Sequence, residues 1–202
     1  MPRPTCYDKN SRLSAHDVRA LLAAKGVTVE SAGAVAVLAI RGYQSDENER
    51  GIYDDAFYVV LTDRCVGFNG NTDPSAYRKG IATLNPGIWT YIAGKHHVTE
   101  PPPRGYPAFR QYGKFTVTRD GQGTDEGDFA INNHKGGVNG TSSLGCQTVP
   151  PSQWGEYRKL IYGALGTNDA EVMRNPYGVP DKTFKYVLIT RDSAETILGR
   201  SI

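Results

Sequence analysis

The chain contains the stretch Ala56-Phe-Tyr-Val-Val-Leu61-Thr-Asp-Arg64-Cys-Val-Gly-Phe68, in which two apolar runs flank the dipeptide Thr62-Asp63. Branched and aromatic runs on either side of a short polar pair are typical of a β-hairpin. Five further runs predict strands, separated by Gly, Pro and Asp turn signals: Val35–Ile40, Gly87–Ile92, Lys114–Arg119, Asp128–Asn132 and Lys185–Thr190. The sequence therefore predicts a mainly β sandwich or barrel.

Two helices interrupt this pattern. Ser14 and Asp17 form a capping-box-like start, which predicts a short helix over 14–25. After Pro150-Pro151, Ser152 is the predicted cap of a late helix that packs on the sheet. Its apolar face is formed by Trp154, Tyr157, Leu160, Ile161 and Leu165. We divide the chain into an N-terminal helical appendage, 1–33, and one catalytic-size domain, 34–202.

Composition excludes several function classes. The 202 residues carry 23 Lys and Arg against 21 Asp and Glu, so no cationic field favours nucleic acid or an anionic membrane as partner. The longest nearly unbroken apolar run, 32–40, is half the ~20 residues that a membrane-spanning helix needs. The three cysteines, Cys6, Cys65 and Cys146, are widely spaced and odd in number, which argues against a disulfide framework or a zinc knuckle.

The most informative window is Asn132-Asn-His134-Lys-Gly-Gly-Val-Asn-Gly-Thr-Ser-Ser-Leu-Gly-Cys146. Cysteine catalysis needs a thiolate, an imidazole that takes its proton and small residues that let backbone N–H groups reach an oxyanion. His134 and Lys135 would also favour the thiolate if they lie near it. The alternative is that Cys146 is a small core residue, His134 a hydrogen-bonded polar residue and the glycines a surface turn.

The segments His134-Lys-Gly-Gly and Ser143-Leu-Gly-Cys146 resemble the signature of the L,D-transpeptidase (YkuD-type) catalytic domain. The likeness is closest to the compact versions in phage and prophage lysis proteins and in antibacterial effectors, and it extends faintly over 50–160. It implies a β-sandwich or barrel in which Cys146 is the nucleophile and His134 its partner. It also implies oxyanion donors from the backbone of Gly145 and Cys146.

The resemblance further implies substrate contacts from Ser143, His96 and Asn132. Two positions depart from the family pattern: Leu144 replaces a second histidine, and Thr148 replaces an arginine two residues after the cysteine. The loss of that arginine weakens the expectation that this position binds a substrate carboxylate.

What the family implies is attack on bacterial peptidoglycan stem peptides, next to D-alanine, through an acyl-enzyme and without metal or organic cofactor. We expect hydrolysis, as by an endolysin, with cross-linking or D-amino-acid exchange as the alternative. Met1–Asp8 has no apolar stretch of signal-peptide length, which predicts synthesis in the cytoplasm and action on the wall after release or delivery.

Other sites compete with this hypothesis. His96, His97 and His134 could bind zinc, although no HExxH spacing supports it. A wall-glycan hydrolase would use paired carboxylates such as Asp54, Asp55 or Glu100, with the twelve tyrosines and two tryptophans stacking on sugars. Asp120–Asp128 is acidic but lacks calcium-loop spacing, so a solvated hairpin turn is expected. A non-enzymatic phage structural or binding module would leave Cys146 in the core.

Overall fold

A computed structural model describes residues 13–44 and 48–202. With 35% strand and 21% helix the protein is mainly β, as predicted. The strands are β1 (Val35–Arg41), β2 (Asp55–Leu61), β3 (Cys65–Gly70), β4 (Ala82–Leu84), β5 (Gly87–His96), β6 (Tyr106–Gln111), β7 (Phe115–Arg119), β8 (Gly123–Gly127), β9 (Asn133–Lys135), β10 (Gln147–Val149) and β11 (Thr183–Thr190). The helices are α1 (Ala15–Ala24), α2 (Pro151–Leu165), α3 (Asp169–Arg174) and α4 (Arg191–Leu198).

Eight strands form one large sheet in the order β10-β9-β6-β5-β11-β1-β2-β3. The predicted hairpin is β2 and β3, which pair antiparallel with Val60 opposite Cys65. A bridge between Asn71, just after β3, and Thr148 of β10 joins the two ends of this order. The sheet is therefore a nearly closed barrel.

A smaller sheet, β4-β7-β8, lies beside the large one. Its β8 occupies part of the acidic segment for which a hairpin turn was predicted, so the turn itself is limited to 120–122. The predicted strand Asp128–Asn132 is wrong. Its backbone is held by a side chain instead, because Oε1 of Gln111 accepts hydrogen bonds from the N–H groups of Phe129 and Ile131.

The two faces of the large sheet are buried by different helices. Alternate side chains of β1 enter two cores: Val37 and Ala39 pack with the α2 side, and Leu38 and Ile40 pack with α1 and α4. The N-terminal helix begins at its predicted cap, Ser14. No helix in the described part of the chain is long and apolar enough to cross a membrane.

The late helix α2 starts differently from its prediction. Ser152 does not cap it, because the helix begins with Pro151 in its first turn and Pro150 at the cap position makes no side-chain hydrogen bond. A proline costs nothing there, since the first helical N–H groups have no partner within the helix. Trp154, Tyr157 and Ile161 are buried against the sheet, as predicted.

Candidate active site

Two short parallel strands bring the predicted cysteine and histidine together. In the β9–β10 register, Gln147 lies opposite Asn133 and Thr148 opposite His134. One step earlier, the N–H of Gln147 donates to the carbonyl of Asn132 at 2.8 Å, so Cys146 lies beside Asn132. Because successive side chains of a strand alternate, Cys146, Asn132 and His134 share one face.

Residues on the opposite face of β9 and β10 hydrogen-bond to α2 and β11. Nδ2 of Asn133 donates to the Tyr157 hydroxyl of α2 at 3.1 Å. The Tyr186 hydroxyl of β11 donates to Oε1 of Gln147 at 3.1 Å. The strands are thus anchored through one face, which leaves the face of Cys146 and His134 for chemistry.

The turn before Cys146 is built around a buried serine. Oγ of Ser143 accepts a hydrogen bond from the N–H of Gly145 at 3.0 Å and donates to the carbonyl of Cys146 at 2.8 Å. The N–H of Ser143 in turn donates to Oγ of Ser75 at 2.7 Å. Ser143, predicted to contact substrate, has its hydroxyl occupied inside this turn.

Gly145 is required by the same turn. Its φ is +124°, and a Cβ there would collide with the carbonyl oxygen of Ala82. Its N–H is engaged by Ser143, so of the two predicted oxyanion donors only the N–H of Cys146 is without a hydrogen bond among the described residues. One backbone donor is thus available next to the sulfur.

The thiol of Cys146 lies in a partly buried position. Its Sγ is 3.6 Å from the carbonyl oxygen of Ala130. Burial raises the pKa of this thiol to about 11, and a backbone hydrogen bond with Asn132 acts in the opposite direction. Neither Lys135 nor His134 is among the groups that shift the pKa of this thiol, and Nζ of Lys135 lies over the Tyr106 ring, 5.2 Å from its centroid. Cys146 is therefore a thiol that needs a base.

His134 has the tautomer that a base requires. Its Nδ1 is 2.8 Å from the carbonyl oxygen of Lys135, which can only accept, so Nδ1 carries the hydrogen and Nε2 keeps its lone pair. The Tyr106 hydroxyl lies 3.1 Å from the same nitrogen. Burial is the main cause that lowers the pKa of His134 to about 4, so the imidazole is neutral near pH 7.

No hydrogen bond joins Sγ of Cys146 to His134 among the described residues. Catalytic hydrogen bonds are often long in the absence of substrate and shorten when it binds. What the structure provides is a neutral imidazole, oriented through Nδ1, on the same sheet face as a protonated thiol.

His96, at the end of β5, stacks on this imidazole. The ring centroids of His96 and His134 are 3.9 Å apart at an interplanar angle of 14°, and His97 covers His96 at 4.0 Å. Nδ1 of His96 is 3.2 Å from Nδ2 of Asn132. Burial, followed by the neighbouring His134, lowers the pKa of His96 to about 2. His96 and Asn132, predicted to contact substrate, thus lie in one cluster with His134.

Tyr106 and Gln111 also belong to the cluster around His134 and Asn132. They were not predicted, because the strand that carries them, β6, was not predicted. β6 contains Pro107 and Arg110, which break the apolar alternation. The backbone N–H of Gln111 donates to Oδ1 of Asn132 at 3.3 Å, and its side chain holds the segment leading to Asn132. The sequence contains no signal for these two residues, because it does not show that their polar side chains are buried.

The histidine stack is a poor metal site. Ring lone pairs lie in the ring planes, so nearly parallel rings do not direct them to one point. Within 13–44 and 48–202 no group of three His, Cys, Asp or Glu could hold a metal ion.

The carboxylates of the glycan-hydrolase alternative are used elsewhere. Asp55 is buried and accepts from the backbone N–H groups of Gly42 and Thr72 at 2.7 and 2.6 Å. Asp54, also buried, accepts from the N–H of Glu49 at 2.7 Å. Glu100 lies 3.9 Å from Arg104 in the loop after β5. No facing pair of these carboxylates is formed, which disfavours that mechanism.

The remaining acidic segment and the family departures also have defined places. Asp120 pairs with Arg50 and Asp125 with Arg119, so neither acid is available for calcium. Thr148 is fully buried against Asn71, whereas Leu144, in the turn before Cys146, is 68% exposed. Thr148 shares the sheet face of His134, but it is fully buried, so its side chain is not accessible to a substrate carboxylate.

No protein-family model, curated protein or solved structure matches this chain. A cavity of about 760 Å³ between α2 and the β2–β3 turn is lined by none of the predicted site residues. The candidate active site is therefore the face of β9 and β10 that carries His134 and Cys146.

Proposed function

We propose that the protein is a cysteine-dependent hydrolase of peptidoglycan stem peptides that acts through an acyl-enzyme. The observation that carries this proposal is the placement of Cys146 and His134 on one face of paired parallel strands, with Nδ1 of His134 donating to the Lys135 carbonyl. This combination supplies a nucleophile and an oriented base.

The proposed acylation step begins with proton transfer from Sγ of Cys146 to Nε2 of His134. The sulfur forms a bond to the substrate carbonyl carbon, whose π electrons move to oxygen. Collapse of this intermediate breaks the C–N bond, and His134 returns the proton to the leaving amine. Water then attacks the thioester with His134 again as base, which releases the acid and restores the thiol.

Peptidoglycan is proposed as the substrate class on the motif resemblance of His134-Lys-Gly-Gly and Ser143-Leu-Gly-Cys146. The bond expected to break joins the L-centre of a diamino acid to D-alanine. The Ser143 hydrogen bonds give the motif serine and glycine a physical purpose here, because they shape the turn that presents Cys146.

We propose hydrolysis rather than cross-linking because Cys146 is only partly buried, so that water can reach a thioester formed on it. Leu144, two residues before Cys146, is 68% exposed. Transfer and hydrolysis share the thioester and differ only in whether an amine or water attacks it.

The test is mass spectrometry of defined tetrapeptide muropeptides and cross-linked dimers after incubation with the protein. We expect loss of D-alanine or conversion of dimers to monomers by the wild type and by Cys65→Ala, and none by Cys146→Ala. New direct cross-links as the main product would replace hydrolysis by transfer. Unchanged muropeptides would overturn the substrate class.

A further inference from the structure

The tautomer of His96 is fixed by Asn132 and Gln111, which are not part of the proposed Cys146–His134 pair. The backbone N–H of Gln111 can only donate, so the Asn132 atom that it contacts at 3.3 Å is the amide oxygen. The amide nitrogen of Asn132 therefore points to Nδ1 of His96, 3.2 Å away. An amide NH₂ has no lone pair to offer, so Nδ1 of His96 accepts.

The hydrogen of neutral His96 must then lie on Nε2. No hydrogen bond of Nε2 occurs among the described residues. His96 is half-buried, whereas His134 beneath it is 5% exposed. The two stacked rings thus carry different groups: a lone pair on Nε2 of His134 and an N–H on Nε2 of His96.

An oxyanion is usually stabilised by two donors. The N–H of Gly145 is hydrogen-bonded to Ser143, so of the two predicted oxyanion donors only the N–H of Cys146 is without a hydrogen bond in the described part of the chain. His96 is the candidate for the second donor. Asn132 connects it to Cys146, because the Asn132 backbone hydrogen-bonds to the Cys146 thiol and the Asn132 side chain hydrogen-bonds to His96.

We propose that His96 is a catalytic residue whose Nε2–H donates to the substrate carbonyl oxygen as it becomes an oxyanion, with Asn132 as the positioning residue that fixes its tautomer. This rests on the proposed cysteine mechanism. The oxygen gains the electron pair of the C=O π bond when sulfur attacks, and the N–H of His96 stays on nitrogen throughout.

A neutral donor also suits the neighbouring base. When His134 takes the thiol proton it becomes a cation 3.9 Å from the His96 ring, and a second cation there would repel it. Burial and His134 keep the pKa of His96 low, so His96 stays neutral through the working pH range.

The first arm of the test reads the tautomer without any substrate. Side-chain ¹H–¹⁵N NMR of the full chain is expected to show His96 protonated on Nε2 and not on Nδ1. Asn132→Asp replaces the donor with an acceptor and is expected to move the hydrogen to Nδ1. A wild-type His96 with its hydrogen on Nδ1 would overturn the proposal.

The second arm measures kcat and KM on a tetrapeptide muropeptide. His96→Phe keeps a stacked ring without a donor, and we expect kcat to fall on the order of 10²-fold or more with KM little changed, as when an oxyanion donor is lost. His96→Gln, which retains an amide donor, should recover part of this loss and also serves if His96→Phe fails to fold. His16→Phe is the matched control, since it makes the same change at an exposed histidine of α1 outside the site, and its kcat should match the wild type.

The outcomes separate the two proposals. Cleavage that needs Cys146 but is unaffected by His96→Phe and His96→Gln would overturn the donor role and leave the cysteine mechanism intact. Absence of any Cys146-dependent cleavage would overturn both.

Discussion

Cys65 and Cys146 have the same ionisation behaviour in very different surroundings. Both are free and half-buried, and burial raises the pKa of each thiol to about 11. Cys65 lies on β3 against the α1 core, with Arg19 as its charged neighbour. Cys146 lies at a strained turn beside Asn132, on the face of His134. The difference teaches that a perturbed thiol alone does not mark a nucleophile, since an oriented base and an available donor are also needed.

Replacing each cysteine is the strongest way to break this comparison. Cys146→Ala removes the proposed nucleophile, so we expect a rate loss on the order of 10⁶-fold. Cys65→Ala touches no residue of the stack, and its turnover should equal that of the wild type. Steady-state assays on tetrapeptide muropeptides measure both. Residual wild-type turnover in Cys146→Ala would show that the two thiols are alike after all.

His134→Gln removes the base and keeps a polar group of similar size. General acid–base catalysis contributes on the order of 10²–10⁴ in rate, so kcat should fall by that amount. The Nδ1 contact to Lys135 makes this residue the oriented partner. A kcat close to that of the wild type would mean that another group takes the thiol proton.

Gly145→Ala tests the turn that separates Cys146 from an ordinary core cysteine. The added methyl group meets the Ala82 carbonyl, and φ of +124° is strained for alanine, so the sulfur must shift. A displacement of about 1 Å can cost on the order of 10²-fold in rate. Gly163→Ala in α2 is the control, because nothing lies within 4 Å of its added Cβ. Equal kcat values for the two variants would refute the role of the turn.

Alkylation by iodoacetamide compares the thiols directly. Because the pKa of each is about 11, both should react slowly at pH 8 in the folded protein. In His134→Gln, Cys146 should react more slowly still and require higher pH, whereas Cys65 should be unaffected. Peptide mass mapping gives the two rates separately. An identical pH profile for Cys146 with and without His134 would show that the side chains do not interact.

The smallest expected effect is on the pH dependence of stability. The pKa of His134 is about 4 in the fold and ~6.5 when unfolded. Between these values the unfolded chain binds more protons, so the His134 contribution favours folding above pH ~6.5 and is lost as pH falls toward 4. Asp73 acts oppositely, because burial raises its pKa to about 8 and stability is lost as pH rises.

The wild-type and His134→Gln proteins share Asp73, so the contribution of Asp73 cancels in their difference. Urea unfolding at several pH values should show that the wild type loses on the order of 1 kcal/mol per pH unit more than the variant below pH ~6.5. Parallel curves would contradict a buried, neutral His134.

The sequence predicted the parts of this molecule whose side-chain pattern directly reflects burial. β1, β2 and β11 are apolar runs with both faces covered, and they were found. β8 was missed because its residues are exposed on a small sheet, and Asp128–Asn132 was mistaken for a strand because Gln111 replaces the neighbouring strand as its hydrogen-bond acceptor.

The contacts within the candidate site also could not be predicted from the local side-chain pattern. A motif predicts Cys146 and His134 as the reacting pair, but the contacts of their neighbours join segments far apart in the sequence. Ser143 is bound to Ser75, 68 positions away, and Asn132 to His96, 36 positions away. The occupied Gly145 N–H and the tautomer of His96 follow from those contacts and have no local sequence signal.

The most direct test of the account is intact-protein mass spectrometry of the acyl-enzyme, trapped by rapid acid quenching of the protein with a tetrapeptide muropeptide. The account predicts a mass increase equal to the muropeptide less D-alanine, with proteolysis placing the adduct on the peptide that contains Cys146. The adduct should be absent from Cys146→Ala and unchanged in Cys65→Ala. Turnover of the muropeptide with the adduct on another residue, or continued turnover by Cys146→Ala, would contradict the claim that Cys146 is the nucleophile.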